Sequence, residues 1–327
     1  MNKEELLQCV KEKTKVKSIR FPSGIDFQEN NHVITIIMRD RMSKNMQDDS
    51  AAFEGWSLCL KACLNEEVRE CCLRWNQPAE LDDAKKLHYQ RFLYRVKRFD
   101  SIFGVSNGGW FCIDNESEEF MADLKIKDNN TYYLNSPSTS DEERKNNETK
   151  NIESRLENEI LDQQNNLKDL QQYCPAKLQR QLPVGLFHDK VKEKNAIFPI
   201  KHSAIDLWGT YGDDLYILEL KAEGNCKVGS LSELFFYTMV LRDEQSGIFF
   251  RKSNRGDEKP TKGQLISNTK QIKAYILAPE LHPFITMKVF NLLNEKMRNQ
   301  KIEFGYIEFK YKDTGSNLQF ISFKKKY

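Results

Sequence analysis

The run Ser203-Ala-Ile-Asp206-Leu-Trp-Gly-Thr-Tyr-Gly-Asp-Asp-Leu-Tyr-Ile-Leu-Glu219-Leu-Lys221 decides how this chain is read. Residues 205–208 predict one apolar strand, the Gly- and Asp-rich run 209–214 a hairpin loop, and 215–220 a second strand. That second strand is continuously apolar, as sheet interiors are. Three charged side chains interrupt the pair: Asp206, Glu219 and Lys221. Side chains alternate along a strand, so Glu219 and Lys221 share one face, and a hairpin register sets Asp206 opposite that neighbourhood. Two carboxylates and an ammonium on a buried sheet are costly to desolvate unless something offsets them. A divalent metal with a phosphate ligand is one such offset. Partly exposed positions on an edge strand, with Asp206 closing a turn, are the plainer reading.

The flanking sequence supplies further elements. Pro175 starts a predicted helix carrying Lys177 to Gln181, which Leu182-Pro183 ends. Residues 184–187 and 197–200 are short apolar segments, either of which suits a first core strand. After the hairpin, Gly229 breaks the chain and Ser230-Leu-Ser-Glu233 matches a capping box, opening a helix to about residue 243. An apolar strand follows at 273–278. A helix from Pro283 with Ile285, Val289, Leu292 and Leu293 on one face, then strands at 302–311 and 318–323, close the chain.

An Asp, a spacer of about a dozen residues and then Glu-Leu-Lys ending an apolar strand resembles the PD-(D/E)XK, or restriction-endonuclease-like, nuclease superfamily. The resemblance covers roughly 174–278, and the α-β-β-β-α-β order over 175–278 agrees with it. It implies an α/β fold with a mixed central sheet and a Mg2+-dependent deoxyribonuclease, Mn2+ being a substitute. It implies Asp206, Glu219 and the Leu220 carbonyl as metal ligands, and Lys221 beside the attacking water. Glu233 and Tyr237, one turn apart on the next helix, resemble the Gln-x-x-x-Tyr element of exonuclease-like members, with Glu replacing Gln. The chain departs from the family upstream: members often contribute a Glu from the first helix, whereas 173–192 contain none, which leaves Gln181 for that place. His202 shares strand parity with Asp206. Arg251, Lys252 and Arg255, with Lys259 and Lys262, form a basic loop suited either to a DNA backbone or to solvent.

Composition sets the frame. Of 327 residues 39% are hydrophobic and 30% charged, enough to build cores beneath a very polar surface. Residues 1–172 hold 25 Lys+Arg against 31 Asp+Glu, and 173–327 hold 25 against 17, so a polyanion is drawn to the second half. We expect a mainly helical α+β N-terminal domain (1–134), a polar linker and connecting helix (135–172), and the nuclease-like domain (173–327). In the first part, helices are predicted at 4–13, over 51–73 (Phe53, Trp56, Leu60 and Cys63 at helical spacing) and at 82–99 with a basic face. Strands are predicted at 33–38 and 110–113.

No apolar run approaches a membrane span and the first residues are no signal peptide, so a cytoplasmic protein is expected. Eight cysteines include no CxxC pair, and buried reduced thiols on a helix face are the expectation. The function expected is DNA hydrolysis in restriction or phage defence. The alternatives are an RNA-directed nuclease, or a nucleic-acid-binding or assembly protein with an inert core. The N-terminal part or the connecting helix would carry any self-association or protein partner.

Overall fold

The computed structural model describes residues 1–136, 151–200, 203–251, 266–315 and 318–327. The first part runs α1 (Lys3–Thr14), β1 (Asp26–Asn30), β2 (Val33–Ile37), α2 (Phe53–Cys63), β3 (Glu70–Arg74), α3 (Asp83–Phe103), β4 (Phe111–Ile113), α4 (Asn115–Glu118) and β5 (Tyr132–Leu134). Next come α5 (Ile152–Gln163), α6 (Lys168–Tyr173), β6 (Gln179–Pro183), β7 (Leu186–His188), β8 (Ala204–Tyr211), β9 (Asp214–Leu220) and α7 (Gly229–Gln245). The chain ends with β10 (Phe249–Arg251), β11 (Gln271–Ala278), α8 (Met287–Met297), β12 (Ile302–Asp313) and β13 (Leu318–Lys325). The fold is mixed α/β, with sheets ordered β1-β2-β3-β4, β10-β5-β7 and β13-β12-β11-β9-β8-β6.

The six-stranded sheet positions the charged residues. β9, β11 and β12 are parallel, while β8, β6 and β13 add antiparallel neighbours at the two sides. The hairpin is tighter than expected: Tyr211 pairs with Asp214, leaving only Gly212-Asp213 as the loop, with Gly212 at φ 58°. β9 is buried on both faces. Leu215 and Ile217 join the core that contains α7 and α8, whereas Tyr216, Leu218 and Leu220 pack with Leu156, Ile160 and Leu170 of α5 and α6. Its apolar run is continuous for that reason.

Several expectations change. No helix follows Pro175; the proline instead follows the end of α6, because the residue before it, Cys174, is kept out of the helical region at φ −134° and ψ 83°. The first strand of the large sheet is then β6, paired with β8. It is neither 184–187, which overlaps β7 in the three-stranded sheet, nor 197–200. The helical spacing over 51–73 holds only to Cys63. Cys71 and Cys72 lie on β3, and Cys72 is disulfide-bonded to Cys112, its direct opposite on β4. α8 starts at Met287, not at Pro283. Within the basic face of α3, Arg91 and Arg95 are buried, Arg95 in an ion pair with Glu54. From residue 137 to 149 the polar stretch lies outside the described residues.

α2 and α3 pack on α7, with Phe99 and Phe103 of α3 against Phe235. The approach of α2 is closest at Gly55, where the N–H donates to Ser232 Oγ at 3.1 Å and an added Cβ would stand 2.5 Å from the Val228 carbonyl oxygen. Alanine is favoured over glycine inside a helix by about 1 kcal/mol, but forcing backbone apart in a packed core costs about 1–3 kcal/mol. Gly55→Ala is therefore expected to lower the urea midpoint, and a raised midpoint would show that the two helices have room between them.

Candidate functional site

The β8–β9 ladder ends at Leu207 opposite Leu218, and beyond it the strands serve the site. Asp206 Oδ2 accepts from the Leu220 N–H at 2.9 Å, so the acid takes over a partner that a ladder carbonyl would have supplied. Glu219 and Lys221 continue the parity of Leu215 and Ile217 and so face α7. Lys221 Nζ donates to Glu219 Oε1 at 2.6 Å and to Glu233 Oε2, on α7, at 3.0 Å. Glu233 Oε1 also accepts from Tyr237 OH at 3.0 Å and from Gln47 Nε2 at 2.5 Å. Glu219 and Glu233 are 1% exposed and Lys221 7%, so this cluster is core and not rim.

The capping box does not form. The N-cap of α7 is Val228, with no side-chain cap hydrogen bond. Asp49 Oδ1 accepts from the Gly229 N–H at 2.9 Å instead. With an acid from elsewhere in the chain taking up an end N–H of the helix, Glu233 is free to face Lys221.

Two contributors escaped the sequence reading. Gln47 carries no local signal, since its partner lies 186 residues away. Glu157 sits on α5 beside Leu156 and is buried; an acid on the edge of an apolar helical stripe was the available clue. Its carboxylate accepts from Arg180 Nε at 3.1 Å and from Gln181 Nε2 at 3.2 Å. Gln181 thus donates to an acid on α5, and its backbone takes the left-handed region at φ 54°.

Burial pushes the Asp206 carboxyl up to about 7; the Lys221 ammonium draws it back and the carboxylates of Glu157 and Glu233 add to the rise. Burial, then the charges of Asp206 and Glu233, lifts Glu219 well above the carboxylate range. For Lys221 burial alone would lower the ammonium, yet Glu219, Glu233 and Asp206 together outweigh it and hold it well above normal. Burial would likewise raise Glu233, but Lys221 first, with hydrogen bonds from its neighbours, keeps it below the usual range. Three acids surround one ammonium here, and the buried Glu219 Oε2 has no N–H or hydroxyl donor and only the Glu233 carboxylate as a side-chain neighbour for its proton.

The other expected site residues fall elsewhere. Arg251 is enclosed, its guanidinium bidentate on Glu244 at 2.9 and 3.0 Å and donating to the carbonyls of Asn135 and Pro183. That leaves it no face for a polyanion. Lys252, Arg255, Lys259, Lys262 and His202 lie outside the described residues. Among the described residues the one group of three His, Cys, Asp or Glu side chains whose ligand atoms all lie within 4.8 Å of one another is Glu70, Cys72 and Cys112, and its two sulfurs are bonded to each other; Asp206, Glu219 and Glu233 do not converge that closely. No helix is long and apolar enough to cross a membrane among the described residues. No protein-family model, no curated protein and no solved structure matches the chain.

The raised acids make stability depend on pH in a definite direction. Asp206 keeps its proton in the folded chain after the unfolded chain has released it at 3.8, so its stabilising contribution is lost as pH rises through about 7. In the presence of a chelator the wild type is expected to be less stable near about pH 8 than near about pH 5. Asp206→Asn is expected to flatten that slope. Urea titrations at both pH values check this, and an unchanged slope in the variant would contradict it.

Proposed function

We propose that this chain is a Mg2+-dependent nuclease that hydrolyses DNA phosphodiester bonds at the Asp206, Glu219 and Lys221 cluster. The observation that carries the reading is Glu219 Oε2, a buried carboxyl oxygen that no N–H or hydroxyl of the chain reaches, beside Glu233 and Asp206 in a group of three acids around one ammonium. Burial and the neighbouring acids keep the proton on Glu219 when no cation is near, and a cation that takes that proton's place is the species this group would accept. All the donors are oxygens, which suits a hard ion such as Mg2+. Asp206, Glu219 and the Leu220 carbonyl are the groups that would hold it. When bound it would neutralise charge on the scissile phosphate and lower the pKa of a coordinated water.

The chain's own residues do the rest. Lys221, whose ammonium Glu219 and Glu233 hold charged, stands where it would position the attacking water and offset charge on the phosphate. Glu233 fixes the ammonium, and Tyr237 and Gln47 fix Glu233. The order α5/α6, β6, β8, β9, α7, β11 supports a restriction-endonuclease-like core, with α5 and its Glu157 as the first helix. The Glu–x–x–x–Tyr pair Glu233 and Tyr237 supports the exonuclease-like branch.

Nicking of supercoiled plasmid tests the reading. Activity with Mg2+ or Mn2+ is expected, abolished by chelator. Asp206→Ala, Glu219→Ala and Lys221→Ala are each expected to reduce it at least about 100-fold with the fold intact by circular dichroism. Glu233→Gln, which restores the family residue, is expected to stay within about tenfold of wild type. A well-folded protein inert on DNA and on RNA at equal salt would leave a binding protein with an inactive core.

A further inference from the structure

Arg91 is 2% exposed, and it differs from the other enclosed arginines. Arg95 has Glu54, Arg251 has Glu244, Arg180 has Glu157 and Arg98 has Asp243. Arg91 has no carboxylate partner among the described residues. Its guanidinium donates to Ser203 Oγ at 3.1 Å, to Asn45 Oδ1 at 3.2 Å and to His88 Nδ1 at 2.9 Å, and lies 5.7 Å over the Phe236 ring. Those partners satisfy hydrogen bonds, while Glu233 and Glu54 offset the charge only through space, neither forming an ion pair with it. Burial, then Arg95, lowers it to about 10, so it stays charged at neutral pH. A histidine that accepts from an arginine is neutral, and burial and Arg91 hold His88 down at about 4.

The guanidinium borders a cavity of about 420 Å3 lined by Ser43, Lys44, Asn45, Lys85, His88 and Ser203. Its one acid, Asp82, is already paired with Lys85 at 3.2 Å. Lys44, a Lys85 shared with Asp82, hydroxyls, an amide and a buried guanidinium with no carboxylate partner around one concavity are the donor set of an oxyanion site. The volume lies within the range of small-ligand pockets, about 300–1,000 Å3. The cavity is also wired to the cluster: Asn45 Nδ2 donates to Gln47 Oε1 at 3.1 Å, and Gln47 Nε2 donates to Glu233.

We infer that the cavity between α3 and the segment 43–45 binds a phosphate group through Arg91, Lys44 and Lys85. Resting on the nuclease reading, the source is a backbone phosphate of the polynucleotide near the bond that is cut; a free phosphoryl compound shares the same chemistry. Phosphate compensates the guanidinium, and the Asn45–Gln47–Glu233 chain relays its position to Lys221.

Thermal melting of the full chain, with inorganic phosphate against chloride at equal ionic strength, tests the site without any call on activity. Phosphate is expected to raise the midpoint of wild type and of Asp206→Asn alike. Arg91→Met, which removes a buried charge with no ion-pair partner, is expected to melt no lower than wild type without phosphate and to bind phosphate at least about tenfold more weakly. Lys44→Ala with Lys85→Ala, at exposed positions, carries the same test should Arg91→Met fail to fold, and is expected to lose at least about half the shift. No phosphate-specific shift in wild type, or a shift that survives in these variants, overturns the proposal. Oligonucleotide binding by Asp206→Asn separates the sources. A slope of log affinity against log salt reduced by about one in the added Arg91→Met identifies a backbone phosphate. An unchanged slope beside lost inorganic phosphate binding assigns the cavity to a free phosphoryl ligand and overturns the substrate part.

Discussion

One ammonium shared by two buried carboxylates holds the centre of this structure together. Lys221 stands between Glu219 on its own strand and Glu233 on α7, all three withdrawn from solvent. Replacing such a group with apolar side chains is often neutral or stabilising, whereas removing one member typically costs about 3–5 kcal/mol. The arrangement fixes a charge at one place relative to a sheet, as the proposed chemistry on a phosphate requires.

The surroundings of the cluster are built to keep it there. Asp49 caps α7 from the first part of the chain, Gln47 holds Glu233, and Gly55 lets α2 lie against the turn that launches α7. On the opposite face α5 brings Glu157 with its Arg180 and Gln181 partners toward Asp206. Residues from both halves of the chain therefore set the electrostatics of a site whose acids all lie beyond residue 150 in the sequence. Most other buried charges are neutralised in pairs, Glu54 with Arg95 and Glu244 with Arg251 among them. The three acids around Lys221 and the buried Arg91 without a carboxylate partner stand out against that background, and Arg91 is joined through Asn45 and Gln47 to Glu233 of that group.

Strand parity and a hairpin were enough to bring Asp206, Glu219 and Lys221 together from sequence, because period-two alternation and a Gly-Asp turn are local signals. The later strands and α7 were legible for the same reason. What local pattern did not disclose was competition. Ser230 to Glu233 has the letters of a capping box, yet Asp49 arrives through the tertiary fold and takes the helix end. Pro175 has the position of a helix start, yet it follows a helix end, with Cys174 before it kept out of the helical region. The helical spacing up to Cys63 invited an extension that the β3–β4 pairing of Cys72 with Cys112 overrides. Arg91 and Arg95 read as a solvated face because their burial depends on α2, α7 and the segment around Asn45, none of which α3 specifies.

The most direct test is anomalous diffraction from a crystal soaked in Mn2+. A single strong peak at about 2.0–2.3 Å from oxygens of Asp206 and Glu219, with Glu219 Oε2 among the ligands, is the result the account predicts. Saturating Mn2+ with no density there, and Glu219 still turned wholly to Lys221, would contradict it.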